Sequence, residues 1–339
     1  MKKLTRRRLL SVAITVVALL IASTPETSHR CDAAQAVAKS IFVDHTGRGD
    51  FKSIQAAIDA VPFGNNQWIR VHVAAGTYTE KVVVPFNKSF VLLEGEGRLQ
   101  TSIEWADHAG GSSTTADTPT FASHADDFVA RHITFKNTYD GVSQAQAVAA
   151  LVDGDRSSFY GCGFFSVQDT LCDMSGRHYY ENCVIGGAVD FIFGNARSIF
   201  QGCYLWTGKL TKTLGSITAH GRDSDKDDTA FVFKECKVGG LMPIYLGRPW
   251  RDYARVIFYQ TYMSIVVDRQ GWDIWNSKGK EASLTMVESE CKGAGSNTTE
   301  RVPWAKQLSG KEIARSDTNY TGSSDNLQTG LIEGDPAIH

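Results

Sequence analysis

Between Phe159 and Cys203 the chain repeats itself. An aromatic or β-branched/aromatic pair followed closely by a cysteine recurs as Phe159-Tyr160 with Cys162, Tyr179-Tyr180 with Cys183, and Ile199-Phe200 with Cys203, at spacings of 21 and 20 residues. Short β-type runs at a fixed period near 20, separated by Gly and Asn turns, are the mark of a solenoid in which each coil must stack on its neighbours to bury its apolar face. Parallel strands stacked this way lie about 4.8 Å apart. The same register carries two acids. Asp169 lies seven residues after Cys162, and Asp190 seven after Cys183. If the cysteines stack, the two carboxylates stand one coil apart on the same face. Two acids so close push each other's pKa values apart, and such a pair can divide into one acid and one base.

The N-terminus reads as a secretory signal over residues 1–23. Lys2, Lys3, Arg6, Arg7 and Arg8 form a basic segment ahead of the apolar run Leu9 to Ala22. That run is short of the roughly 20 residues needed to span a bilayer, so no membrane association is expected once it is removed. Its loss takes the formal net charge from -2 to -7, because all five basic residues leave with it. The mature chain has no basic run, which argues against a nucleic-acid partner. An acidic protein that meets a polyanion must bind it through a local cleft.

Residues 24–40 read as a flexible leader, and 41–339 as one continuous domain with no dividing linker. Ser53 can cap a short helix carrying Ile54, Ala57, Ile58 and Val61 on one face. That helix would cover the open first coil, whose strand edges are otherwise bare. Strands are expected at Ile69-Val73, Lys81-Val84, Phe90-Leu93, Phe128-Val129, His132-Phe135 and Arg255-Gln260. Residues 107–119 form a polar loop on the cleft side. The 33 residues from Cys203 to Cys236 imply an insertion, with Gly221-Asp228 as its projecting loop. Beyond Trp272 the strand signal fades, and a short helix over Ser309 to Ala314 is expected in a tail packed along the outside.

Seven cysteines are present. Cys162, Cys183, Cys203 and Cys236 follow the coil register, whereas Cys172 and Cys291 do not. Buried in a stack they behave as small hydrophobes. In a secreted chain a Cys203–Cys236 bridge is an alternative. No CxxC or His/Cys cluster has zinc spacing, and no cofactor is expected. Asn87, Asn297 and Asn319 stand in N-glycosylation sequons, Asn87 in a turn after Pro85.

Gln168-Asp169-Thr170-Leu171, Asp190-Phe191-Ile192-Phe193-Gly194 and Leu246-Gly247-Arg248-Pro249-Trp250 resemble the three signature motifs of plant-type pectin methylesterases. Gly76-Thr77-Tyr78-Thr79-Glu80 and Gln146-Ala147-Val148-Ala149 extend the resemblance, which runs from about Ile41 to Asp335. The order and spacing of five motifs make it specific. It implies an all-β fold, a right-handed parallel β-helix with a short N-terminal capping helix and a C-terminal tail along the coils. Many plant members carry an inhibitor-like helical region ahead of this domain; the spacing after the signal leaves no room for one. The implied substrate is methyl-esterified homogalacturonan (pectin) in the cell wall, and a proteinaceous pectinesterase inhibitor is the partner the resemblance suggests.

The resemblance casts Asp190 as nucleophile and Asp169 as general acid, then base. An Asp flanked by Val189 and Phe191 does not read as a turn residue, and an ionised carboxylate in that apolar setting needs a partner. Arg248 is the candidate, since guanidinium binds carboxylate in a bidentate fork and keeps its charge. Gln146 and Gln168, 22 residues apart, can donate to the anionic oxygen of a tetrahedral intermediate. A glutamine ladder tying coils together is the structural alternative. Trp250 and Thr120 would contact the sugar chain. Two departures stand out: Ala150 follows Gln146-Ala147-Val148-Ala149 where the family has Leu-Arg, and Cys172 follows Leu171 where Tyr is frequent.

Three rivals were weighed. A retaining glycosidase also wants paired carboxyls, but has no oxyanion for two glutamines to hold. A calcium-dependent lyase would want clustered acids; Asp223, Asp225, Asp227 and Asp228 cluster, but read as a solvated loop. A catalytically silent wall-binding protein would be expected to have lost at least one of Asp169, Asp190 and Arg248.

Overall fold

The computed structural model describes residues 37–141, 145–208, 214–309 and 313. The signal, most of the leader, Cys31, Asn319 and all of the expected tail helix except Ser309 and Ile313 lie outside these residues.

Three parallel sheets of eleven, eight and seven strands run the length of the molecule, each built from one strand per coil. Strand order follows the sequence coil by coil, which makes the fold a right-handed parallel β-helix. The interior is filled by side chains in ladders. Phe159, Tyr180, Phe200, Phe233 and Phe258 stack ring on ring at 4.9, 4.6, 4.6 and 4.5 Å between centroids. The inward member of each repeating pair is thus Phe159, Tyr180 and Phe200, all fully buried. Offset stacking adds about 0.5–1.5 kcal/mol per pair beyond burial.

From Phe128–Arg131 to Thr285–Ser289, the corner after each strand of the eleven-stranded sheet is left-handed. His132, Gly161, Asn182, Gly202, Glu235, Gln260 and Glu290 all have φ between 50 and 62°. The sequence pattern places His132, Phe90 and Gln260 inside strands. His132 (φ 52°), Phe90 (φ 60°) and Gln260 (φ 50°) are corners, because a coil that closes in about 21 residues must turn sharply there. The cysteine column sits just past this corner. Cys183, Cys203 and Cys236 each donate a thiol hydrogen to a strand carbonyl of the preceding coil, and Cys162 donates to the Tyr160 carbonyl two residues back. Cys291 makes the same contacts and stands beside Thr261 of the preceding coil, so it belongs to the register after all. All six described cysteines are free, which corrects the Cys203–Cys236 bridge.

The helix Ile54–Asp59 forms as expected, with Ser53 as its N-cap and Ile54, Ala57 and Ile58 buried. Glu80, the last residue of the Gly76–Glu80 motif, accepts from the backbone N–H of Ile54 at 2.8 Å and Gln55 at 2.9 Å. The motif therefore ties the capping helix to the first coils. The first strand, Lys39–Val43, takes Lys39 and Ser40 out of the expected leader. The solenoid also continues past Trp272, with Thr285–Ser289 and Lys306–Gln307 extending the large sheet. Ile313 is buried against Val232, Ile257 and Val287 on that sheet's outer side. The insertion before Cys236 includes the loop 221–229, between strands Gly215–His220 and Ala230–Lys234. That loop is pinned by buried Arg222, which donates to the carbonyls of Asp225, Asp227 and Tyr253.

Candidate active site

The seven-stranded sheet carries the site on its outer face. Strand register aligns Ala122, Leu151, Cys172, Phe193, Ala219 and Arg248 in one outward column across successive coils. The apolar members of this column, with Val148, Met174 and Trp250, form an apolar floor. Above it lies a cavity of about 390 Å³. Its only charged lining residues among those described are Asp169, Asp190 and Arg248.

The two aspartates occupy equivalent positions of successive coils. Gln168 bridges to Val189, and the Asp169 N–H donates to the Val189 carbonyl at 3.0 Å. Each lies three residues ahead of a floor residue, Cys172 or Phe193. Both have left-handed backbones, with φ 60° at Asp169 and 46° at Asp190. Asp190 is therefore in a bend, contrary to the reading from its apolar neighbours. Phe191 is apolar because it fills the core, while the bend holds Asp190 at the cavity. A non-glycine residue in this region costs of order 1 kcal/mol or more and persists where the surroundings over-determine it. The glycine closing the Asp190–Gly194 motif is also required. At φ 129°, a Cβ on Gly194 would fall 1.9 Å from the Asp173 carbonyl oxygen.

Arg248 grips Asp190 in the expected fork, Nε to Oδ1 at 2.8 Å and Nη2 to Oδ2 at 2.6 Å. Its guanidinium also lies 3.9 Å from the ring centroid of Trp275. Trp275 is itself held at φ 44°, its N–H donating to Asp273 Oδ1 at 3.0 Å. Sequence reading missed Trp275; no period or motif marks it.

Burial, first, and then the charge of Asp190 lift the Asp169 carboxyl to about 8, against the opposing pull of Arg248 and a hydrogen bond from Gln168. The sequence reading had credited Asp190 alone. Burial also raises the Asp190 carboxyl, and the Arg248 fork pulls against it. The fork needs acceptor lone pairs on both oxygens, so Asp190 is the member of the pair that ionises first and Asp169 the one that keeps a proton.

Gln146 and Gln168 both line the cavity. The 21-residue offset of their coils sets Gln146 beside Val167, one residue out of line with Gln168. Trp250 lines the rim, edge-on to Phe193 and under the Arg251 guanidinium. Thr120 does not reach the cavity. It is fully buried, and its hydroxyl donates to the Lys136 carbonyl at 3.1 Å. Thr115 and Ala116 of the 107–119 loop line the cavity in its place.

Beneath the floor, inward-facing Asp173 is held by His178 Nδ1 at 2.6 Å, the Tyr180 hydroxyl at 2.7 Å and the Ser198 hydroxyl. His178 Nε2 meets the Gly154 carbonyl at 2.8 Å. Both ring nitrogens thus face acceptors, and burial, which lowers the His178 pKa, is overcome by the Asp173 charge, which raises it. Of the sequons, Asn87 sits in its turn half-buried, while Asn297 is exposed and accepts from the Thr299 hydroxyl at 2.9 Å.

The pectinesterase family model matches residues 40–324. The Arabidopsis thaliana protein named "Probable pectinesterase 29" is 45% identical over 286 residues, covering 81% of this chain and 84% of the relative. The solved pectin methylesterase from carrot superposes with a TM-score of 0.82 at 32% identity, over 86% of this chain and 96% of that one. An Aspergillus niger pectin methylesterase gives a TM-score of 0.74 at 28% identity, over 86% and 97%.

Proposed function

The chain belongs to the pectinesterase family of carboxylic ester hydrolases, and from that premise we propose how its own cleft removes methyl esters from pectin. Asp190, ionised in the Arg248 fork, attacks the ester carbonyl carbon. The oxygen that becomes anionic takes hydrogen bonds from the Gln146 and Gln168 amides. Preorganised donors of this kind stabilise the charge as it develops. Asp169 gives its proton to the departing methanol, leaving an acyl-enzyme anhydride on Asp190. Asp169, now a carboxylate, takes a proton from the water whose hydroxyl adds to the galacturonyl carbon; the Asp190 carboxylate leaves, and the new galacturonic acid gives its proton to solvent. Trp250 and the apolar floor seat the sugar chain.

The observation that carries this reading is the division of one aspartate pair by its surroundings. One carboxyl is clamped by a guanidinium that cannot deprotonate, and its neighbour is lifted to about 8. The basic-then-apolar N-terminus supports secretion to the cell wall, where a proteinaceous inhibitor is a candidate partner and Asn297 the best-exposed described sequon.

The test is methanol release from highly methylated pectin by the secreted protein, with Asp190→Ala alongside. Wild-type release that vanishes in a folded variant supports the reaction and the nucleophile together. Turnover near the wild-type rate in the variant would sink the nucleophile assignment.

A further inference from the structure

On the outer face of the eight-stranded sheet, away from the strands that carry the cleft, a groove of about 570 Å³ opens across the later coils. Strand register sets one column along it, of which Tyr204, Lys237 and Tyr262 line the groove and Lys292 continues the column on the next coil. Tyr204 pairs with Lys237, Lys237 with Tyr262, and Tyr262 bridges to Lys292. Aromatic and cation thus alternate along the solenoid axis, one per coil. At about 4.8 Å per coil, the two tyrosines stand roughly 10 Å apart, and so do the two lysines.

All four side chains are exposed, the tyrosines at 38% and 52%. The chain makes room for Tyr204, since a Cβ on Gly239 would meet its hydroxyl at 2.9 Å. Tyr262 Cε2 lies 3.0 Å from where a Cβ on Gly293 would stand, and that glycine is fixed first by the Met263 carbonyl oxygen at 2.3 Å and a φ of 102°. Each ring leans over a glycine of the next coil. Lys237 and Lys292 make no ion pair among the described residues. Arg98, at the groove's side, makes a single long contact to the Asn182 carbonyl. Among the described residues, no carboxylate lines the groove. Acids stand at the adjacent corners, where Glu181 accepts from the Tyr179 hydroxyl and the Asn182 amide, Glu235 from the Gln201 amide and Glu290 from the Gln260 amide. A cationic groove is out of keeping with a chain of formal net charge -2.

We propose that the Tyr204–Lys237–Tyr262–Lys292 column is a second, non-catalytic binding site for a linear polyuronate, the de-esterified chain that the cleft produces. Sugar rings pack on the tyrosines, and carboxylates pair with Lys237, Lys292 and Arg98. A neutral, fully methylated chain would gain only the stacking. The site would hold the enzyme on regions already processed while the cleft works on esterified ones. The identity of the polyuronate rests on the reading of the cleft; the affinity of the column for an acidic glycan does not.

The experiment is calorimetric titration of the full-length secreted protein with a fully de-esterified galacturonate oligomer, with a neutral glucan as control. Wild type should bind two chains. The double variant Lys237→Glu/Lys292→Glu should bind one, with the weaker-salt-tolerance phase lost and that site's affinity down at least tenfold. Tyr204→Ala/Tyr262→Ala should lose the same phase. Methanol release from short methylated oligomers, which need only the cleft, should stay within twofold of wild type in both variants. Unchanged stoichiometry and affinity in both folded variants would overturn the proposal, as would equal binding of the neutral glucan. Failure of wild type to release methanol would instead strike the reading of the cleft, and leaves the titration to decide the column.

Discussion

Replacing Arg248 with leucine should move the acidic limb of the pH–rate profile. The guanidinium makes two short bonds, 2.8 and 2.6 Å, to a carboxylate only 6% exposed. Removing one partner of a buried pair costs about 3–5 kcal/mol when the other charge is left alone. Asp190 avoids that cost by keeping its proton. At 1.36 kcal/mol per pKa unit, this raises its pKa by roughly 2–4 units. Below the new pKa the ionised fraction, and with it the rate, falls by about 10²–10⁴-fold. The basic limb is set by Asp169, whose carboxyl sits at about 8 and must stay protonated to release methanol. The two limbs should therefore collide, and the bell should shrink towards its alkaline side. The assay is methanol release from pectin between pH 4 and 9 for wild type, Arg248→Leu and Arg248→Lys. Lysine supplies the charge without the fork, so its acidic limb should lie near wild type while its kcat stays depressed. A uniform loss in Arg248→Leu, with the acidic limb unmoved, would refute the argument: Arg248 would then act on the substrate and not on the ionisation of Asp190.

Asp169→Asn should kill turnover yet stabilise the fold at neutral pH. Its folded pKa, about 8, lies above the unfolded value near 4, so the stability it allows is complete below pH 4 and is lost as pH rises towards 8. The variant escapes that loss, by an amount on the order of 4 kcal/mol at pH 7, and urea unfolding should show the gain at pH 7 and almost none at pH 4. Gln168→Ala should lower kcat by about 10²–10³-fold, as loss of one oxyanion donor does, and an unchanged kcat would return the residue to a purely structural tie between coils. Trp275→Ala should lower kcat by roughly tenfold, the worth of a desolvated cation–π contact of about 1–2 kcal/mol, with KM less affected; a rise in KM alone would make Trp275 a sugar contact.

Stacking made the central part of this site legible from sequence. Once Cys162 and Cys183 lie one above the other, Asp169 and Asp190 must too, and a run with two such acids and one arginine narrows the chemistry. What sequence could not give was the path of the backbone between strands. Apolar neighbours suggested a straight segment at Asp190, and β-branched or aromatic composition suggested strands at Phe90 and His132; all three are left-handed corners. The reason is the same in each place. At these three corners a core-facing residue follows directly, Val91, Ile133 or Phe191, so the corner sits in an apolar run and carries no Gly or Asn, unlike the corners at Gly161, Asn182 and Gly202. Thr120 was misplaced for the converse reason, since a polar residue near the cleft can be consumed by an internal carbonyl. Trp275 was invisible because it reaches Arg248 from outside the repeat.

The corners also bear on how the site works. Along a strand, side chains alternate between core and surface, so two neighbouring polar residues cannot both look into one cavity. Gln168 and Asp169 are neighbours, and both line it. The left-handed φ of 60° at Asp169 breaks the alternation and lets both face the same way. At Asp190 the same break frees the carboxylate while Val189 and Phe191 keep to the coil. The strain at each corner is therefore tied to a geometric need that regular strand backbone cannot meet, and the stacked coils on either side hold it in place.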